Sequence, residues 1–404
     1  MKRIRGFRLL LGVMLSVFLV LGGFAGAGDA GAAGEIKIGA ALPLTGPLAT
    51  EGKKQQAGYE IWRERVNAAG GVNVGGKKMK VKIIYMDYES KTPTATKIAE
   101  RLITKEKVVL LLGPFGSGAT KSVAAITERY QVPLIAPVAS SEAIFDQGYK
   151  YLFGLLAPNS FLPNNFFELI KAQKPRPKTM AFVTRNDFFP RAITNMVRKH
   201  AKKHGIEDVY YATFPKDSKD MSTWLTVVKS KNPDILMVGG YLPDTLLAAK
   251  QAAELGVNPK IFFTMVGPVY AQFTEALGKT ANNILTAAWW GEALSYKGDF
   301  IGTPRDFGKI WRKKFNQEPD YVAAASTAAG IVAQMAIEKA GSLDRKKIRG
   351  AIANMDAQTF FGPVKFDKRG QNTASAIVFF QVQDGKRKTV APSDIANSKL
   401  IYPK

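Results

Sequence analysis

Residues 108–126, VVLLLGPFGSGATKSVAAI, admit few structures. Val108–Leu112 is an apolar run too short for a helix and rich enough for a strand buried on both faces. A glycine-rich turn follows over residues 113–118. Then a helix is expected, with Ser117 as its N-cap and Ala119, Val123, Ala124 and Ile126 facing inward. Strand, tight turn and helix deliver backbone N–H groups and a hydroxyl to the carboxyl edge of a parallel sheet. Open α/β sheets bind ligands at that edge, and a helix N-terminus there favours an anion. The turn is not a nucleotide motif. A phosphate loop needs Lys directly after its second Gly, but Gly118 is followed by Ala119 and Thr120, and GxGxxG does not fit either. The expectation is a site for a small anion, a carboxylate. A plain strand-to-helix turn shaped by its glycines is the alternative.

Around this stretch the chain alternates strand and helix. Strands are expected at residues 35–42, 80–87, 108–112, 132–136 and 151–155, with helices over 49–69 and 94–104. After Pro158 the alternation restarts. Helices are expected at 161–172, 192–204, 221–231, 246–255 and 270–277, with strands at 179–184, 208–214, 234–239, 260–265 and 284–290. Helices dominate from Asp306 to Ala353, and two late strands, 363–366 and 376–383, precede a polar tail. Two successive βαβα runs imply an α/β fold of two doubly wound lobes, each with a parallel sheet. A chain of 404 residues suits about two domains. Late elements that return to the lobes create several crossings, and such a body hinges around a ligand.

The first residues read as a secretory signal peptide. Lys2, Arg3, Arg5 and Arg8 form a basic head, Leu9–Leu21 an apolar core, and Ala25-Gly-Ala27 and Ala30-Gly-Ala32 a small-residue cleavage zone. The core is shorter than a membrane span of about 20 residues, and no later stretch is expected to span. Cleavage is expected between Ala27 and Gly34, leaving an exported soluble chain. With no cysteine there is no disulfide, no thiolate nucleophile and no lipid-anchored N-terminal Cys. The net charge of +24 is scattered, as at Lys77-Lys78, Lys202-Lys203 and Lys313-Lys314. No basic block is interleaved with aromatics, so nucleic acid is not the expected partner. A solvated basic surface or steering of anionic ligands explains the charge.

The sequence resembles the type I periplasmic solute-binding proteins of ABC importers, the Leu/Ile/Val-binding (branched-chain amino acid) group, over nearly the whole mature chain. The resemblance rests on IKIGAALPLTGPLATEG, NAAGGVNVGGKK, LLGPFGSGAT, VPLIAPVAS, PDILMVGGYLPD and FFGPVKFDKRGQN together. It implies a three-crossing hinge near residues 155–158, 289–293 and 370–373. The implied organisation is a signal peptide (1–33), an N-terminal lobe (34–155 plus 291–370), a C-terminal lobe (156–290 plus 371–390) and a tail (391–404). It implies a monomeric periplasmic receptor, not a lipoprotein and without cofactor, that carries a small carboxylate solute to ABC permease subunits in the inner membrane. A sensor of the same fold for a membrane signalling partner is the alternative. Ser117 and the segment Val138-Ala139-Ser140 match the two turns that hold the family's ligand carboxylate. Tyr241 and Phe189, with Phe188 as alternate, match the aromatics of the second lobe.

Two departures affect the solute. Amino-acid binders of the group hold the ligand ammonium with a Glu of the second lobe, but Val266 or Met265 stands there. An ammonium closed into a cleft without a partner costs about 3–5 kcal/mol, roughly a hundred-fold or more in affinity. Glu51 stands where an aromatic wall residue is common. Glu51 either replaces the missing acid from the opposite lobe or lies on the rim. In the second case the solute is an amine-free acid lined by Phe115, Phe189, Tyr241 and Val266. No enzyme constellation is evident. His200 and His204 lack the Glu of a metal-protease helix and flank lysines, so no metal site is expected. Asp187 and Asp244 have no evident His or nucleophile partner, and there is no GxSxG elbow. Trp289-Trp290 falls at an expected crossing.

Overall fold

In the computed structural model, which describes residues 34–403, the first run of the chain builds one parallel sheet. The expected export segment, residues 1–33, lies outside the described residues. β1 (Ile36–Leu42) leads through α1 (Ala49–Ala68) to a small hairpin, β2 (Val72–Val74) and β3 (Lys77–Met79), turned at Gly75 and Gly76. β4 (Val81–Asp87), α2 (Thr92–Thr104), β5 (Leu110–Leu112), α3 (Ser117–Arg129), β6 (Leu134–Ala136) and β7 (Leu152–Gly154) follow. The five-stranded order is β4-β1-β5-β6-β7, and every pair is parallel. All residues of β5, β6 and β7 are buried, because helices cover both faces.

The second sheet repeats the pattern. α4 (Phe161–Lys171), β8 (Thr179–Arg185), α5 (Phe188–Lys203), β9 (Glu207–Phe214), α6 (Ser222–Lys231), β10 (Ile235–Gly239), α7 (Leu242–Glu254), β11 (Ile261–Met265), α8 (Ala271–Leu277) and β12 (Ile284–Ala288) come in turn. Two helices begin a full turn earlier than expected, at Phe188 rather than Ala192 and at Leu242 rather than Leu246. Pro190 and Pro243 lie inside the added turns. There a missing N–H costs nothing. Asp187 caps α5 by accepting from Phe188 N at 2.8 Å, and Asp244 reaches back to Tyr241 N at 2.8 Å at the start of α7.

The late chain, α9 (Pro304–Phe315), α10 (Tyr321–Ala340), α11 (Arg345–Ala353) and the hairpin β13 (Asp356–Thr359) with β14 (Gly362–Lys365), precedes β15 (Val378–Gln383). β15 and one strand that the sequence did not reveal, β16 (Lys386–Ala391), extend the second sheet antiparallel, giving β16-β15-β12-β11-β10-β8-β9. The expected tail is partly held: Asn397 N bonds Thr389 O at 2.9 Å and Ile401 N bonds Gln381 Oε1 at 2.8 Å. The result is two lobes, the first with a parallel sheet and the second with a parallel sheet extended by two antiparallel strands, joined where the chain passes between them.

α10 corrects one expectation. It is 20 residues long and apolar enough to cross a membrane, yet it lies mostly buried against α1. The two helices approach closely because glycines face the partner. A Cβ on Gly58 would stand 2.4 Å from Ala323 O, and one on Gly330 would stand 2.3 Å from the buried Trp62 ring. Thr327 Oγ1 donates to Gly58 O at 2.8 Å across the same contact. Gly330→Ala gains about 1 kcal/mol of helix propensity, but overpacking a filled core costs about 1–3 kcal/mol or more. With an indole in the way, a net loss of about 2 kcal/mol is expected in urea unfolding. Equal or higher stability would mean that Trp62 yields.

Candidate functional site

The carboxyl ends of the two sheets face each other. From the first lobe, the turn after β5 is fixed by Gly113 N to Ile135 O at 2.7 Å and Gly116 N to Val138 O at 3.0 Å. Gly116 has φ 81°, a left-handed conformation that favours glycine, and a Cβ there would lie 3.4 Å from the Tyr241 hydroxyl. Gly116, not Ser117, occupies the N-cap position, and Ser117 is the first residue of α3. Its hydroxyl is therefore not spent on its own helix. Ser117 Oγ accepts from Ser140 N and Ser141 N, both at 3.3 Å, and so ties the two turns together. The hydroxyl proton remains available for donation. The first amides of α3 have no carbonyl of their own helix to bond. Ser140 O accepts from Asn159 N at 3.2 Å and from Gln371 Nε2 at 3.1 Å.

The second lobe answers with rings. Tyr241 precedes α7, Phe189 lies in the first turn of α5, and Trp289 follows β12. Phe115 meets Tyr241 edge-on at 5.6 Å, Phe189 stacks on Tyr241 at 6.2 Å, and Trp289 lies 6.1 Å from Phe189. Trp289 also touches Tyr321, the first residue of α10, at 5.4 Å, and its Nε1 donates to Ala157 O at 2.9 Å. Phe115, Ser117 and Ser140 on one side and Phe189, Tyr241 and Trp289 on the other line a narrow cavity. Val138, Leu156 and Tyr321 complete it. Its free volume is about 10 Å³, about what one water molecule needs.

The remaining expected residues lie elsewhere. Val138 faces the cleft side, whereas Ala139 packs in the cluster on the other face of the first sheet. Phe188 packs under Lys121, whose Nζ is 5.1 Å from its ring. Val266 is buried after β11 and is not a lining residue of the cavity. Glu51 is not on the rim: it is fully buried in the first turn of α1. Its Oε1 accepts from Leu242 N of the second lobe at 3.4 Å, and its Oε2 has no hydrogen-bond partner. Burial pushes this carboxyl up to about 7, with Asp244 and Asp320 adding to the rise and backbone amides opposing it. Leu156, Trp289 and Tyr321 were not expected in the site. Trp289 was legible only as a crossing residue. The signal for Tyr321 was an aromatic directly after an Asp cap.

Beside the rings lies a charged network. Arg185 Nη1 donates to Asp244 Oδ1 at 2.8 Å, and the Arg185 guanidinium sits 5.5 Å from the Tyr241 ring centroid. Arg185 Nε lies 3.6 Å from Asp187 Oδ2, and Asp187 Oδ1 accepts from Lys216 Nζ at 3.0 Å. Burial lifts the Asp244 carboxyl above its ordinary range, although Arg185 pulls it down. Among the described residues no group of three or more His, Cys, Asp or Glu could hold a metal ion. The arrangement offers amides and hydroxyls for an anion and aromatic faces for an apolar body. It offers no nucleophile beside a base.

Residues 35–387 match the periplasmic binding protein family. Leu/Ile/Val-binding protein homolog 7 of Brucella abortus is 27% identical over 394 residues, covering 93% of this chain and 96% of its own length. Among solved structures, the branched-chain amino acid transporter substrate-binding protein LivJ of Streptococcus pneumoniae, in complex with isoleucine, superposes with a TM-score of 0.79. It is 24% identical and covers 89% of this chain and 100% of its own. A solute-binding protein of an ABC transporter from R. palustris, in complex with benzoate, gives a TM-score of 0.77 at 21% identity, covering 91% of this chain and 100% of its own.

Proposed function

Because the chain belongs to the periplasmic binding protein family, whose compared members are solute-binding proteins and not enzymes, we propose that it captures a small carboxylate solute between its lobes. After export it hands the solute, as a monomer, to the permease of an ABC importer in the inner membrane. One observation carries this reading: the start of α3 and the Ser140 turn, tied by Ser117 Oγ, face a wall of second-lobe aromatics. The carboxylate takes hydrogen bonds from the Ser117 hydroxyl, Ser140 and the first amides of α3, helped by the helix dipole. An aliphatic or aromatic body lies against Phe115, Phe189 and Tyr241. The cavity has room for about one water, so entry requires the lobes to part, and closure removes water from both clamp and rings. Glu51, buried with Oε2 unpartnered although not a lining residue of the cavity, is the candidate acid for an ammonium, and a branched-chain amino acid would use it. An amine-free acid would not.

Calorimetric titration of the mature chain with leucine, isoleucine and benzoate tests the reading. Binding of at least one is expected. The double variant Ser117→Ala, Ser140→Ala is expected to lose roughly 10–100-fold in affinity, as for one or two charge-assisted hydrogen bonds. Unchanged affinity in a variant that unfolds at the wild-type temperature rejects the clamp.

A further inference from the structure

A chamber of about 570 Å³ lies beside the cleft, walled by Val269, Thr274, Trp290, Phe380 and Arg387. Tyr321 lines both this chamber and the narrow cavity at Ser117. The adjacent residues Trp289 and Trp290 divide between them: Trp289 lines the cavity and Trp290 the chamber. One aromatic side chain at the start of α10 is therefore shared by the two spaces. The cavity has room for a water, whereas the chamber has the size of a small-molecule site. Some of the chamber's charges are engaged, while Lys386 and Lys388 also line it and Glu292 Oε1 has no hydrogen-bond partner. The Arg387 guanidinium donates to Val269 O of one lobe and Pro319 O, before α10, of the other. Glu318 and Glu292 both pair with Arg312, at 2.8 and 2.6 Å. Trp290, Tyr321 and Phe380 give a ligand aromatic faces beside the small side chains of Ala271, Ala288 and Ala293, and Trp290 is held in place by Nε1 to Phe360 O at 3.3 Å.

We infer that the solute site continues past Tyr321 into this chamber, so that the solute is a carboxylate with an aryl or alkyl tail longer than the side chain of leucine. The inference rests on the reading of the cleft as a carboxylate receptor. The acid group stays at Ser117 and Ser140, a change of the Tyr321 rotamer joins the two spaces, and the tail lies against Trp290 and Phe380. Both lobes contribute walls to the chamber, so a tail there also favours closure.

The test is a calorimetric series on the mature chain with 3-methylbutanoate, 4-phenylbutanoate and 6-phenylhexanoate. Affinity is expected to rise at least tenfold from the first to the last. Thr274→Trp, which fills the chamber from the half-exposed α8 wall, is expected to erase that gain and to leave 3-methylbutanoate within twofold. Flat or falling affinity with tail length overturns the inference, as does an equal effect of Thr274→Trp on all three acids. In either case the short acid's sensitivity to Ser117→Ala still upholds the carboxylate reading. Failure of all three acids to bind, with leucine or isoleucine still bound, overturns the inference and leaves the carboxylate reading standing; failure of the amino acids as well overturns both.

Discussion

Asp244→Ala is expected to lower the free energy of unfolding by about 3–5 kcal/mol, the range for stripping one partner from a buried ion pair. Arg185 and Asp244 are only 6% and 7% exposed. Without Asp244, the guanidinium keeps only Asp187, at 3.6 Å from a buried Nε that has no hydrogen bond. The same substitution removes the acceptor for Tyr241 N, and so unfastens a cleft ring from the start of α7. Two losses, one electrostatic and one of a cap worth about 1 kcal/mol, fall on one residue. Glu254→Ala is the control: its pair with Lys250, at 3.9 Å, is more than half exposed on both sides and is worth less than about 0.5 kcal/mol. Urea unfolding of both variants measures the contrast. If Asp244→Ala costs no more than Glu254→Ala, Asp187 has taken over the guanidinium and the network is redundant.

The second large effect is a pH dependence whose presence or absence reveals the class of solute. In this structure burial raises the Glu51 carboxyl from its ordinary 4.5 to about 7; lobes that open away from Leu242 would return it to water and to the ordinary value. A raised value favours the closed form fully below 4.5, and this advantage is lost as pH rises through about 7. Between these limits closure takes up one proton. The affinity for an amine-free acid is expected to fall by up to tenfold per pH unit from about pH 5 to 7 and to level off above. The whole effect is on the order of 3 kcal/mol. Glu51→Gln is expected to flatten the profile. An amino acid whose ammonium meets Glu51 Oε2 keeps the carboxylate ionised in the closed form, so its affinity is flat over the same range. Calorimetry in buffers of different ionisation enthalpy reads the proton directly. A slope that survives Glu51→Gln belongs to another group, and Asp244 and Asp320, which both bear on Glu51, are next to test.

The contrast between Ser117 and Tyr321 explains what the sequence could reveal. Ser117, Phe115 and Ser140 lie at the ends of adjacent parallel strands, β5 and β6, so a strand, a turn and a register suffice to bring them together. Tyr241 and Phe189 follow the same rule in the second sheet. Tyr321 obeys no such local rule. It reaches the cleft because α10 returns to pack on α1, a contact permitted by Gly58 and Gly330. Glu51 was visible as a residue out of pattern, but its environment depends on the second lobe closing over it. β16 escaped because Lys386–Ala391 carries three basic residues on a sheet-edge strand. Such an edge tolerates charge that a central strand does not.

The carbonyl of Ser140 accepts from both Asn159, just past one expected crossing, and Gln371, within another. On the proposed reading, the wires that would let the halves swing are thus knotted to the loop that would grip the solute. Swinging apart would pull on the grip, and letting go would loosen the swing. If the proposed delivery holds, unloading then needs no separate trigger: whatever prises the jaws open would also spoil the handhold.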